Sequence, residues 1–265
     1  MNFEKYFMGK IRSVVDKYGI KGRIAVALSG GKDSMAAFHA LTKFKFELIP
    51  FYIDLGIEEY SKACMEYAKK ICDILGYKLQ IIKLKDYGID LSKARKKCSV
   101  CGTAKRYLMN KFAFEHDCDY VATGHNLSDA LTFAFNNLAS VNILNFRGMK
   151  PVLPGNKDLR MAGRFKPLFY LKDDECMEYV KMNEIPYCKE KCPYARDAPT
   201  IELKEWIHEM ERKRNGIMLN FAKSFEKIEE MMTRQQKIRQ CSICGYPSYG
   251  NICKFCKLRR KYGKI

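Results

Sequence analysis

Residues 98–102, Cys-Ser-Val-Cys-Gly, put two thiols three positions apart, with no second pair close behind them. Three chemistries fit that spacing. A redox dithiol needs only the local motif, which lowers a thiol pKa. A zinc site needs further protein ligands. An iron–sulfur cluster needs one distant third thiol if one iron stays open for sulfur. The C-terminal cysteines read differently: Cys241-x-x-Cys244, eight residues, then Cys253-x-x-Cys256, with Gly245 and Gly250 for turns, have the spacing of a four-cysteine zinc ribbon. A module of that size has no core of its own, so bound Zn²⁺ would supply its folding energy. Cys64, Cys72, Cys118 and Cys176 stand in apolar surroundings and are expected as small core residues.

Ser29-Gly30-Gly31-Lys32-Asp33-Ser34 is the second reactive stretch. It follows the apolar run Ile24 to Leu28 and precedes the helical MAAFHALTKF, so its backbone N–H groups and the helix N-terminus face an anion. Phosphate is the natural occupant. The loop is shorter than G-x-x-x-x-G-K-[ST] and differs from G-x-G-x-x-G, so neither the common NTPase motif nor the dinucleotide motif applies. Gly124-His125-Asn126 follows a further apolar run, at the strand end where ligands bind in open α/β sheets.

The elements that must position these groups alternate. After a helical opening of about 20 residues, strands are expected at 24–28, 48–53, 78–84 and 120–123, with helices at 62–75 and 104–115 between them. That order implies a parallel sheet covered by helices on both faces. Beyond Pro167 the pattern turns helical, with segments at 173–183 and 203–232 separated by prolines 186, 193 and 199. The expected organisation is an α/β domain over 1–170, a helical extension over 171–238 and a small ribbon over 239–265.

Bulk properties narrow the partners. The 265 residues carry 48 Lys and Arg against 30 Asp and Glu, a formal charge of +18, which concentrates polyanions at the surface. Residues 93–111 hold seven cations (Lys93, Arg95, Lys96, Lys97, Lys105, Arg106, Lys111) and no acid; 147–172 and the tail KLRRKYGKI are further basic stretches. Cations on three separated segments suit a long phosphate backbone better than one small anion. No apolar run approaches the length of a membrane span and no signal peptide opens the chain, so an intracellular, cytoplasmic protein with reduced thiols is expected.

The SGGKDS loop resembles the PP-loop of ATP pyrophosphatases. The resemblance extends through YIDLGIEEYS (52–61), CSVCGTAKRYLMN (98–110), ATGHNLSD (122–129), RFKPLFY (164–170), KCPYA (191–195) and CSICGYPSYGNICKFC (241–256), in the order of the tRNA 2-thiouridine synthetases. It implies a PP-loop α/β fold with a helical C-terminal part and a zinc ribbon. It also implies tRNA thiolation, in which ATP adenylates a uridine C2 oxygen and sulfur displaces AMP. Implied cofactors are ATP, Mg²⁺, a [4Fe–4S] cluster and Zn²⁺. Implied partners are tRNA and a sulfur donor (sulfide, a persulfide or a thiocarboxylated carrier protein), and a homodimer is compatible with the resemblance.

Carried over by position, Ser29 to Ser34 cradle phosphates, while Ile53, Asp54, Gly124 and His125 meet the nucleotide. Lys105 and Asp129 match catalytic positions, and Cys192 joins Cys98 and Cys101 as the third cluster ligand. Spacing alone reads Lys105 as a phosphate contact and His125 as a local hydrogen-bonding histidine. Two departures stand out. Ser128 takes the place of a first aspartate in the family's usual pair, and the sequence opens at a helix that many members precede with another zinc ribbon. Cys188, four residues before Cys192, is a competing thiol. Two other functions remain open at this stage: a PP-loop sulfurtransferase for another nucleobase or a small molecule, and a nonenzymatic zinc-ribbon RNA-binding protein.

Overall fold

The structure, a computed structural model, describes residues 2–142, 148–195, 199–231 and 238–262. Arg147, Met232 and the final Gly-Lys-Ile, which belong to expected basic or helical stretches, lie outside them. Helix α1 (Phe3–Tyr18) begins at the Asn2 side chain, which accepts from Glu4 N–H, and ends at left-handed Gly19. Strands β1 (Arg23–Leu28), β2 (Glu47–Asp54), β3 (Gln80–Lys83) and β4 (Tyr120–Thr123) alternate with α2 (Lys32–Leu41), α3 (Glu58–Leu75) and α4 (Lys97–Glu115). Then come α5 (Leu127–Ala139), β5 (Val152–Leu153), β6 (Gly163–Phe165) and α6 (Asp173–Met182). Helices α7 (Pro199–Lys213) and α8 (Ile217–Met231) precede a ribbon of β7 (Arg239–Gln240), β8 (Pro247–Ser248) and α9 (Lys254–Tyr262).

The main sheet runs β3-β2-β1-β4-β6-β5. All its pairs are parallel except β5 with β6, so the expected parallel sheet gains an antiparallel edge. Alternation along each strand divides the core. Ile24, Val26, Leu28, Leu48 and Tyr52 pack with α1, α2, α3 and α6 on one face, while Ala25, Phe51, Ile53 and Val121 pack with α4 on the other. A third cluster joins α5 to α7 and α8 around Leu131, Ile207 and Phe225. The ribbon docks on α4, with Phe255 stacked on Tyr107 at 3.8 Å between ring centroids and Gln240 Nε2 donating to Asp158 O at 2.8 Å.

Two expectations about helices change. Helix α4 begins at Lys97 instead of Ala104, so Cys98 and Cys101 occupy its first turns. The single helix expected over 203–232 is broken: Gly216 turns at φ 85°, and Glu211 accepts from both Gly216 N and Met218 N at 2.9 Å, capping α8.

The strand order reverses between β1 and β4, the topological switch point where an open α/β sheet leaves a crevice for ligand. Gly124 closes its floor. A Cβ there would stand 2.6 Å from Ser34 Cα and 2.6 Å from Asp33 C, both backbone atoms. Gly124→Ala therefore overpacks the crevice and should cost about 1–3 kcal/mol. Gly9→Ala, on α1 with nothing within 4 Å of the added carbon, should stabilise by about 0.5–1 kcal/mol. Urea denaturation of both variants checks the pair; equal effects would contradict the close approach at Gly124.

Candidate active site

The phosphate loop leaves β1 and enters α2. Gly30 adopts φ 81° and its added Cβ would meet Cys64 O at 2.6 Å, so only glycine fits there. Ser34 Oγ accepts from Ser29 N at 3.0 Å and donates to Gly31 O at 2.9 Å, which rounds the loop. Gly31 caps α2 without a side-chain bond, leaving first-turn N–H groups of the helix open to an anion. That donor set fits the phosphates of ATP.

Around this loop lies a network of charges. Lys32 Nζ is 2.7 Å from Asp33 Oδ1 and 3.1 Å from Asp173 Oδ1. Lys204 Nζ is 2.9 Å from Asp129 Oδ1 and 3.1 Å from Asp173 Oδ1. Asn126 Nδ2 donates to Asp33 and Asp173 at 3.2 Å each, while its Oδ1 accepts from Asp129 N in a capping box. Burial disfavours charge on Asp173, but Lys204 and Lys32 outweigh it and hold the carboxyl at about 2. Burial lifts Asp33 above its ordinary value, with Lys32 opposing and Asp129 and Asp173 adding to the rise. Oxygen-only carboxylates around a phosphate loop fit Mg²⁺. Ser128 is wholly buried with its Oγ unpaired among the described residues, so a second aspartate there would point into the core. Asp129 faces the crevice.

On the other side of the crevice stand the thiols. Cys98 and Cys101 lie one turn apart in the first turns of α4. The 191–195 segment docks against them. Cys98 Sγ donates to Tyr194 O at 3.2 Å, and Lys97 sits 4.6 Å over the Tyr194 ring. Burial raises the Cys101 pKa, Lys105 opposes, and Cys192 and Cys98 add to the rise, so Cys101 lies within electrostatic reach of the other three groups. Cys98 is exposed, and Cys101 and Cys192 are half-buried. Three thiols with an open side suit a cluster that keeps one iron free. Cys188 lies elsewhere: it is buried, its N–H donates to Gly30 O at 2.9 Å, and its thiol faces Cys64, whose own pKa is pushed up to about 12 by burial and then by Cys188.

Between phosphate loop and thiols runs a rim of cations. Lys105, Arg106 and Arg164 have no carboxylate within ion-pair distance among the described residues. Solvent reaches His125, yet protein crowds it, as at the wall of a cleft. That crowding lowers its pKa, Asp129 opposes, and Lys166, Lys105 and Arg164 add to the fall. Its Nδ1 lies 2.8 Å from Thr123 Oγ1. Ile53 is buried at the end of β2, and Asp54 Oδ1 accepts from Gly56 N at 2.9 Å, so both sit at the same sheet edge without touching the charge network.

The C-terminal thiols converge. The ligand atoms of Cys241, Cys244, Cys253 and Cys256 lie within 4.8 Å of one another, and Cys244 and Cys253 Sγ are 3.8 Å apart. Four sulfurs at about 2.3 Å from one Zn²⁺ would be about 3.8 Å apart, so the donor set fits. Although burial opposes it, N–H groups of Cys253, Cys244 and Ile243 pull the Cys241 pKa down, which prepares a thiolate.

Sequence reading missed Asn126, Asp173, Lys166 and Lys204. The Asn-x-x-Asp spacing at 126–129 was a capping signal; a lone lysine on α7 gave none.

A PP-loop domain family model matches residues 4–197. The chain is 38% identical to the tRNA-5-methyluridine(54) 2-sulfurtransferase of Pyrococcus horikoshii, over 97% of this chain and 85% of that one. It is 25% identical to the tRNA 2-thiolation protein NcsA of Haloferax volcanii, over 88% and 80% of the two chains. Its fold superposes on the U34-tRNA thiolase NcsA of Methanococcus maripaludis, solved with its [4Fe–4S] cluster, with a TM-score of 0.87, 27% identity and coverage of 99% and 89%.

Lys166 gives a direct test of the cleft. Burial, then Arg164, lowers its pKa to about 8, with Glu229 opposing, and its Nζ donates to Gly148 O and Lys150 O. The ammonium is the disfavoured form, so the neutral amine grows in as pH rises through about 8, against about 10.4 for free lysines. Peptide-resolved acetylation against pH should give Lys166 the lower midpoint; a midpoint shared with surface lysines would contradict the cleft.

Proposed function

The chain belongs to the PP-loop family, with tRNA 2-sulfurtransferases as relatives along nearly its whole length, and on that premise we propose that it is an ATP-dependent tRNA 2-sulfurtransferase. The observation that supports this reading is a phosphate loop ringed by Asp33, Asp129 and Asp173, with Lys105 acting on both His125 at that crevice and Cys101 of the CSVCG pair. Greater identity to the position-54 enzyme than to either NcsA makes 5-methyluridine 54 of tRNA the proposed target.

The uracil carbonyl is a poor electrophile, so its oxygen must first become part of a leaving group. O2 attacks the α-phosphorus of ATP, forming an O–P bond and expelling pyrophosphate. Sulfur from a donor then adds to C2, and AMP departs with the original oxygen. In this reading Ser29 to Ser34 and the start of α2 hold the phosphates, and Asp33 and Asp129 offer oxygens to Mg²⁺. Lys105, beside Cys101 and within the field of His125, stabilises charge on the α-phosphate and on departing AMP. Cys98, Cys101 and Cys192 hold a [4Fe–4S] cluster, which when bound supplies an iron with an open position for sulfur. The ribbon holds Zn²⁺ and braces α4. Arg106 and Arg164 of the rim receive the tRNA backbone, a contact that weakens with salt.

Lys105→Ala and Asp129→Ala should each lower thiolation by at least about a hundredfold while tRNA binding persists. Nucleoside mass spectrometry of treated tRNA, with AMP and pyrophosphate measured in parallel, checks this. Near-normal turnover in Asp129→Ala, or orthophosphate as the sole product, would overturn it.

A further inference from the structure

Three helices point their N-termini at one spot. Asp33 lies in the first turn of α2, Asp129 in that of α5 and Asp173 in that of α6. Each carboxylate therefore sits in the positive end of a helix dipole. Two ammonium groups tie them together, and both do so through a single oxygen, Asp173 Oδ1, at 3.1 Å each. One is Lys32 of the phosphate loop. The other, Lys204, comes from α7, beyond the 4–197 segment that matches the family.

We propose that Lys204 is a phosphate-binding residue of the nucleotide site, a second ammonium that α7 contributes beside Lys32. The inference rests on the ATP site assigned above and adds to it a residue outside the loop. Lys32 and Lys204 flank the same oxygen, so they are close enough to be bridged by the oxygens of one polyphosphate. Both side chains remain partly open to solvent, 16% and 30% exposed, so a ligand can reach them. Lys204 also shares Asp129 Oδ1, an oxygen offered to Mg²⁺ in the proposed reaction. Two cations compete for it. With Mg²⁺ and triphosphate bound together, Asp33 and Asp129 would hold the metal, and Lys204 would exchange its carboxylate oxygens for phosphate oxygens. No covalent bond changes.

Calorimetric titration of the full chain with inorganic pyrophosphate or ATP in magnesium-containing buffer, with no tRNA present, tests this without turnover. Lys204→Met should weaken pyrophosphate and ATP binding by at least about tenfold, and Lys204→Arg should retain most of it, as loss and retention of a charge-assisted contact predict. Lys32→Met is the reference and should weaken both ligands as well. Unchanged pyrophosphate affinity in Lys204→Met, with Lys32→Met defective, would reduce Lys204 to a counter-ion and overturn the proposal. Unchanged affinity in Lys32→Met would instead overturn the nucleotide site itself. If thermal melting shows Lys204→Met to be unfolded, Lys204→Gln against Lys204→Arg gives the same comparison of neutral with charged side chain.

Discussion

Everything at this site depends on how closely two backbones approach at the switch point. Gly124 follows β4 and Gly30 follows β1, and an added Cβ at either would lie 2.6 Å from a backbone atom, Ser34 Cα in the first case and Cys64 O in the second. The approach sets the phosphate loop against the start of α5. Asn126 is thereby able to cap α5 and reach Asp33 and Asp173 with the same side chain. At Gly124 the atoms an added Cβ would meet are all main chain, so no flexible side chain can yield to make room.

The two sides of the crevice carry opposite chemistry, and α4 links them. Its first turns bear Cys98 and Cys101, its next turn bears Lys105 and Arg106, and its far half carries Tyr107, on which the ribbon stacks. The ribbon thus belongs to the site's framework: its Phe255 stacks on Tyr107 of the helix that carries Cys98 and Cys101, and a metal held by its four cysteines would fix that contact. The nucleotide side balances its charge with Lys32 and Lys204 against Asp33, Asp129 and Asp173. The rim of Lys105, Arg106 and Arg164 lacks carboxylate partners among the described residues. That uncompensated charge is complementary to an anionic polymer.

Sequence made the local parts legible and left the assembled parts hidden. Strand, loop and helix around Ser29 to Ser34 announce themselves because glycine, apolar run and helix start are adjacent in the chain. The cysteines of the ribbon do so because one ion reads their spacing. The start of α4 escaped because Lys96 caps it without a side-chain bond, so no capping residue marks it. Strands β5 and β6, of two and three residues, are too short for any period. The break at Gly216 depends on Glu211 reaching across the turn. Lys204 and Asp173 are 31 residues apart, and only the packing of α7 against α5 joins them at the site. No helix among the described residues is long and apolar enough to cross a membrane.

The central claim is that the uridine oxygen itself attacks ATP and leaves on AMP. Transcribed tRNA carrying ¹⁸O at C2 of its uridines and methylated at C5 of uridine 54, incubated with the complete enzyme, ATP and sulfide, puts that claim in one mass spectrum. The account predicts AMP with one ¹⁸O on its phosphate for each 5-methyl-2-thiouridine formed, and unlabelled pyrophosphate. Thiolated tRNA accompanied by unlabelled AMP, with the label released to water, would contradict it.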